Sequence, residues 1–129
     1  MALGPVLWPI VEGGAQPTAG QLVFFIALEA IQSLAFGLGV AFLLFGLSAV
    51  RRASPNSRVM AWATYLSIGW LLVSWWPHGN LHRVVGENLQ GLLYIEYGFH
   101  VTLIIGAIVL AYTFLSLLRQ QSQATTRVA

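Results

Sequence analysis

Three long apolar stretches, separated by short polar ones, make up most of the chain. They run over about residues 21–50, 59–77 and 91–118. A helix needs roughly 20 residues to cross the hydrocarbon core of a bilayer, and each stretch is near or above that length. Because every backbone polar group inside lipid must be satisfied within the segment, such stretches form helices. The pattern predicts an all-α fold, an integral membrane bundle of three transmembrane helices.

The two ends of the chain are predicted to lie beside this bundle of residues 21–119. Residues 1–20 begin with an apolar run that Pro5 and Pro9 interrupt. The run is too short to span a bilayer, so we expect a short interfacial segment with Trp8 among the lipid headgroups. Residues 120–129 are rich in Ser, Thr and Gln, and we expect them to form a disordered tail.

The composition strengthens the membrane interpretation. Hydrophobic residues make up 57% of the chain and charged residues 8%, whereas soluble domains carry about 25% charged residues. The sequence contains no cysteine, which excludes disulfides and thiolate metal ligands. Its small positive charge is not clustered on a solvated face, so nucleic acid is not expected as a partner.

The arginines predict how the bundle is oriented. Arg83 falls on one side of the three-helix arrangement, and the other five arginines fall on the opposite side. The positive-inside rule then places the N-terminus and the 78–90 loop outside and the C-terminus in the cytoplasm. The absence of lysine and the abundance of alanine and glycine favour a bacterial plasma membrane. The five arginines are Arg51, Arg52, Arg58, Arg119 and Arg127.

Polar residues of all three helices are predicted to reach one level near the outer boundary of the hydrocarbon core. A rise of about 1.5 Å per residue places Glu29, His78, Glu96 and His100 roughly 30 Å from the arginine-rich side. Imidazole and carboxylate without thiolate are ligands for zinc, copper or iron. The candidate metal ligands are His78, His82, Glu96 and His100, with Glu29 and Gln32 as supporting polar residues.

Two stripes of small residues predict how the helices pack. Glu29, Ser33, Gly37 and Ala41 recur every four residues in the first stretch. Such spacing permits close helix approach, so we expect this face, with Glu29, to point at protein. In the third stretch Gly98, Thr102 and Gly106 have the same spacing. They lie nearly opposite Glu96 and His100, which predicts an outward face that invites another subunit.

Three functions remain open from the sequence. The leading hypothesis is a non-catalytic subunit or oligomerising component of a membrane complex, with the lipid bilayer and further copies or other membrane subunits as partners. The second is a metal- or haem-binding protein with a His/Glu site at the outer face. The third is a proton or ion transporter component. HExxH, P-loop and GxSxG motifs are absent from the sequence, so an enzyme is not expected. The sequence does not identify a cofactor.

Overall fold

The computed structural model describes residues 16–54, 57–85 and 88–128, with side chains up to residue 123. All the secondary structure within these ranges is helical, which confirms the all-α prediction. The interfacial segment predicted for residues 1–20, with Trp8, lies mostly outside the described residues. The helices are α1 (Ala19–Phe45), α2 (Leu47–Ala53), α3 (Arg58–Val73), α4 (Trp75–Val85) and α5 (Leu89–Val128).

Two of these helices are long and apolar enough to cross a membrane. They are α1 and the part of α5 from Leu89 to Gln123. Helices α3 and α4 pass the same test only together, and they are bent by 43° at the break between them. Within the described ranges the structure therefore has two candidate membrane-spanning helices, or three if the bent pair is one span. The three-span count stays a prediction.

The second apolar stretch does not end where the sequence predicts. The expected span of 59–77 followed by a loop over 78–90 is wrong, because α3 ends at Val73 and α4 continues to Val85. Pro77 explains the bend: it has no backbone N–H, so the carbonyl of Val73 loses its donor four residues later. A proline in the first turn of a helix is tolerated, and the His78 N–H donates to the Ser74 carbonyl at 3.1 Å.

The ends of the other helices also differ from expectation. Gly46 separates α1 from α2 within the predicted first span of 21–50. Helix α5 is helical as far as Val128, through the stretch predicted to be a disordered tail. Arginine, glutamine and alanine, which are frequent after the third span, are good helix formers, and this favours continuation of α5.

Beyond Glu29, the small-residue stripe predicted for α1 does not pack against the other helices of the chain. Ser33, Gly37 and Ala41 are exposed, whereas Glu29, Gln32 and Gly39 are buried. A residue every four positions advances about 40° beyond a full turn, so Ala41 lies about 120° away from Glu29 around the helix. Alternating steps of three and four residues keep to one face. The expected inward orientation of Glu29 is confirmed, since it is 7% exposed.

The predicted outward face of α5 is also wrong over most of its length. The Trp70 Nε1–H donates to Thr102 Oγ1 at 3.0 Å, which directs Thr102 at α3. A Cβ added at Gly106 would meet Ser67 and Leu71 of α3 at 3.8 Å, so this glycine packs inside the molecule. Only Gly98 of this stripe has open space around it. The buried face of α5 instead includes Phe99, Gly106 and Thr113, seven residues apart.

Helices α3 and α5 run so that the polar cluster and the arginine-rich turn lie at opposite ends. Ser54 and Ser57, which flank the turn, line one small cavity together with Thr113 and Gln120 of α5. Helix α4 contacts the beginning of α5, where Glu96 and His100 lie. The histidines are therefore remote from Arg51 and its neighbours, as the helical rise along each stretch predicts.

Candidate functional site

A carboxylate held between two imidazoles forms the centre of the polar cluster. Oε1 of Glu96 lies 2.7 Å from Nε2 of His82, and Oε2 lies 2.7 Å from Nδ1 of His100. Nδ1 of His100 is also 3.0 Å from the backbone carbonyl oxygen of Glu96. Glu96 and His100 are one turn apart on α5, whereas His82 comes from α4. The contact between Glu96 and His82 therefore joins two helices.

His78 completes the cluster from the first turn of α4. Its ring is perpendicular to those of His82 and His100, with centroids 4.5 Å and 5.5 Å away. Its other face stacks on Phe99 at 3.7 Å. Nδ1 of His78 is buried and has no hydrogen-bond partner in the described part of the chain. Such an atom costs free energy unless a bound species satisfies it.

Three members of the cluster have the separation that a metal ion requires. One potential ligand atom from each of His78, Glu96 and His100 lies within 4.8 Å of the other two. Nitrogen and oxygen donors bind a transition metal at about 2.0–2.2 Å, which places tetrahedral ligand atoms about 3.4 Å apart. A modest closure of these side chains would therefore suffice for coordination.

The helical form of α4 explains why the cluster forms. A helix places His78 and His82 on one face because they are four residues apart. Gly79, between them, allows α4 to approach α1 closely, since a Cβ at this position would come within 2.7 Å of Oε1 of Gln32. From the sequence alone, a glycine between Pro77 and Asn80 predicts only a break in the helix. Its role in the structure is close packing.

Glu29 and Gln32 lie beside the cluster and line a cleft of about 670 Å³ between α1, α4 and α5. The two side chains are 7% and 8% exposed. Neither has a hydrogen bond or ion pair with another residue in the described ranges. The cleft shares one wall with the cluster, formed by His78, His82 and Glu96. The residues predicted to support the metal ligands thus line the same cleft as three members of the cluster.

The structure brings together the four residues that the sequence selects as metal ligands, and their binding of a metal stays a prediction. Sequence reasoning missed Arg83, which is 6% exposed, lines the cleft and donates from Nη1 to Oδ1 of Asn80 at 3.1 Å. The spacing of Asn80 and Arg83 by three residues was the available signal, once α4 is known to be helical.

Long apolar helices and a polar cluster near one end of them suggest a membrane protein. Comparisons with models of known families, with curated proteins and with solved structures gave no match to this chain. The function is therefore argued from the geometry and chemistry of the site.

Proposed function

We propose that this is a membrane protein that binds one transition-metal ion through His78, Glu96 and His100, with His82 alongside. The observation that carries the proposal is the mutual approach of three potential ligand atoms to within 4.8 Å. They come from α4 and α5, which the contact between His82 and Glu96 joins. The buried Nδ1 of His78 adds a nitrogen for which the described residues provide no partner.

The donor set limits which ions fit. Two imidazoles and one carboxylate suit Zn²⁺, Cu²⁺ and Fe²⁺ and are poor ligands for Mg²⁺ or Ca²⁺, which prefer oxygen. Three protein ligands leave a coordination position open, as in metal sites that bind water or a substrate rather than purely structural ones. The site therefore suits reversible handling of an ion or a reaction at the open position.

Haem fits this cluster less well than a bare ion. Axial ligation by two histidines requires their rings to lie on opposite sides of the macrocycle. The ring centroid of His78 is only 4.5 Å from that of His82 and 5.5 Å from that of His100, and both pairs are perpendicular. A porphyrin has no room between rings at such separations. We therefore propose an ion and not haem.

The two other functions stay predictions with less support. The hypothesis of a non-catalytic subunit or oligomerising component rests on spare small-residue faces and on the little surface that three helices bury. On α5, Thr102 and Gly106 of the expected face contact α3 instead. The transporter hypothesis requires a polar path across the membrane. The polar residues that argue for it, Glu29, Glu96 and His100, lie at one end of the bundle.

The proposal is tested by measuring bound metal in protein purified with a tag that lacks histidine. We expect elemental analysis to give about one transition-metal ion per chain, or apo protein to take up one equivalent of Zn²⁺ or Cu²⁺. His78→Ala and His100→Ala remove ligands and should each lower the affinity at least 10-fold. Tyr97→Phe is the matched control, because Tyr97 lies on α5 beside Glu96 and is 68% exposed.

Two results would overturn the proposal. One is protein that neither contains a transition metal nor binds added Zn²⁺, Cu²⁺ or Fe²⁺ with an affinity better than millimolar. The other is binding that His78→Ala and His100→Ala leave equal to that of Tyr97→Phe.

Thermal unfolding of each variant shows that it is folded. With metal at 100 times its Kd, the native protein should gain about 2.7 kcal/mol over the apo form.

A further inference from the structure

The cleft beside the histidine cluster has two buried polar side chains whose hydrogen bonds the described residues do not satisfy. Glu29 and Gln32 are both more than nine-tenths buried. They lie three residues apart on α1 and line the cleft together. Their oxygen and nitrogen atoms are not fully buried and remain accessible from the cleft. A group that enters the cleft can therefore pair with two polar side chains that have no hydrogen-bond partner within the described residues.

The charges of the cleft limit the polar group of that ligand. A carboxylate accepts hydrogen bonds and donates none, so the group that meets Glu29 must be a donor. Glu96 adds a second carboxylate to the lining, and Arg83 adds a guanidinium that can donate but not accept hydrogen bonds. An anionic group beside Glu29 is disfavoured by the carboxylate of Glu29 itself. A hydroxyl or a primary ammonium group satisfies both conditions. Gln32 accepts and donates, and it fits beside either group.

The remaining walls limit the rest of the ligand. Phe25, Leu28 and Leu92 line the cleft, and their surface is apolar. A volume of about 670 Å³ lies within the range of pockets that hold small organic molecules. Helix α1 is itself one of the helices long enough to span a membrane. A ligand with a donor head and an apolar tail would therefore reach the cleft from lipid.

We propose that this cleft binds the head of a lipid-soluble amphiphile whose hydroxyl or primary ammonium group donates a hydrogen bond to Glu29. Such a head belongs either to an isoprenoid-type quinol or to an aminophospholipid, and these share the chemistry that Glu29 recognises. The proposal does not rest on metal binding, because Glu29 is not one of the proposed metal ligands. His78 and Glu96 belong to both sites, whereas His100 belongs to the metal site and does not line the cleft.

The test uses the full chain in nanodiscs, with native mass spectrometry as the readout. One arm compares phosphatidylethanolamine with phosphatidylcholine, whose quaternary ammonium has no N–H to donate. The second arm compares a short-chain quinol with the dimethyl ether of the same ring. We expect one donor ligand to bind at least 10-fold more tightly than its matched partner. The arm that shows this preference identifies the source of the head.

Substitutions at Glu29 separate the two kinds of head. Glu29→Leu should weaken either donor ligand about 10- to 100-fold, since a charge-assisted hydrogen bond is lost. Glu29→Gln keeps an acceptor and loses the charge, so it should weaken an ammonium ligand more than a hydroxyl ligand. Leu28→Trp fills the cleft without touching Glu29 and should also prevent binding. Ser33→Leu is the control, because Ser33 lies on the exposed side of α1.

Equal binding of donor and matched non-donor ligands in both arms would overturn the proposal. So would binding that Glu29→Leu and Leu28→Trp leave equal to that of Ser33→Leu. His100→Ala distinguishes this proposal from the metal site. It should lower metal affinity at least 10-fold and leave binding in the cleft within about 2-fold, so either function can fail while the other stands.

Discussion

The carboxylate of Glu96 on α5 lies 2.7 Å from Nε2 of His82 on α4. His82 is not in the group of three whose ligand atoms lie within 4.8 Å of one another, although it contacts the central member of that group. We therefore expect His82 to orient Glu96 rather than to bind the metal. The two side chains are 34% and 41% exposed, so we attribute little folding stability to the contact itself.

His82→Ala should therefore lower metal affinity without changing the stoichiometry. Loss of an orienting partner of a metal ligand typically costs about 10- to 100-fold in affinity. Competition with a chromophoric chelator measures this loss in His82→Ala and His100→Ala side by side. A loss of affinity in His82→Ala as large as that in His100→Ala would show that His82 is itself a ligand. An unchanged affinity would show that the contact with Glu96 has no part in the site.

Acidification should release the metal. An imidazole must be neutral to bind a metal ion, and a carboxylate must be ionised, so protons compete with the ion for His78, Glu96 and His100. Between about pH 7.5 and pH 5 the apparent affinity should fall at least 10-fold. Titration with Zn²⁺ at several pH values measures this. An affinity independent of pH would exclude histidine ligands. Tyr97→Phe should follow the native protein at every pH.

The distance of the site from the arginine-rich end of the helices could be predicted from the sequence, and the reason is geometric. Helical rise is constant, so counting residues from the arginines is enough to place Glu29, His78, Glu96 and His100 at similar depth. This count does not depend on the exact ends of the helices. The count also holds although a loop was expected over 78–90, because a helix that continues past Pro77 keeps His78 near the same level.

The packing faces could not be predicted from small residues alone. Gly37 fits a small-residue stripe, but a Cβ built there has open space around it. A Cβ built at Gly39 would meet Leu72 and Val73 of α3. The choice between them depends on how α1 is rotated, and a sequence with apolar residues on every side does not fix that rotation. The role of Gly79 against Gln32 is unpredictable for the same reason, since it depends on two helices at once.

Gly39→Ala should destabilise the protein and Gly37→Ala should not. A Cβ at Gly39 would come within 2.6 Å of Cγ1 of Val73 and 2.8 Å of Cβ of Leu72, whereas none of the neighbouring atoms lies within 4 Å of a Cβ at Gly37. Overpacking at such a contact costs about 1–3 kcal/mol. Thermal unfolding in detergent measures both variants. Equal stability of the two would show that α1 and α3 do not approach at Gly39.

Pro77→Ala should straighten the junction of α3 and α4 and weaken the site. Alanine restores an N–H that can donate to the Val73 carbonyl, so the cause of the 43° bend is removed. His78 would then rotate away from Glu96, and we expect metal affinity to fall at least 10-fold while helix content by circular dichroism stays the same. An affinity equal to that of the native protein would show that contacts other than Pro77 impose the bend.

The hydroxyls of Thr64 and Thr113 are 2.8 Å apart and buried between α3 and α5. Thr113 also donates to the Val109 carbonyl at 2.9 Å, so it keeps one partner when Thr64 is replaced. We therefore expect a double-mutant cycle of Thr64→Val and Thr113→Val to give a coupling energy of only about 0.6 kcal/mol, as for other hydrogen bonds between membrane helices. Unfolding in mixed micelles measures it. A coupling near zero would show that the two hydroxyls do not meet.

The predicted orientation can be tested on α5 alone, because the chain has no native cysteine. Gln90 and Gln120 are both exposed and lie near opposite ends of the part of α5 that is apolar enough to cross a membrane. Thirty residues of helix separate them by about 45 Å, more than the thickness of the hydrocarbon core. If the arginine-rich end faces the cytoplasm, a membrane-impermeant thiol reagent should label Gln90→Cys in intact cells. It should label Gln120→Cys only after lysis. The reverse pattern would place the histidine cluster on the cytoplasmic side, and labelling of both from outside would show that α5 does not cross the membrane.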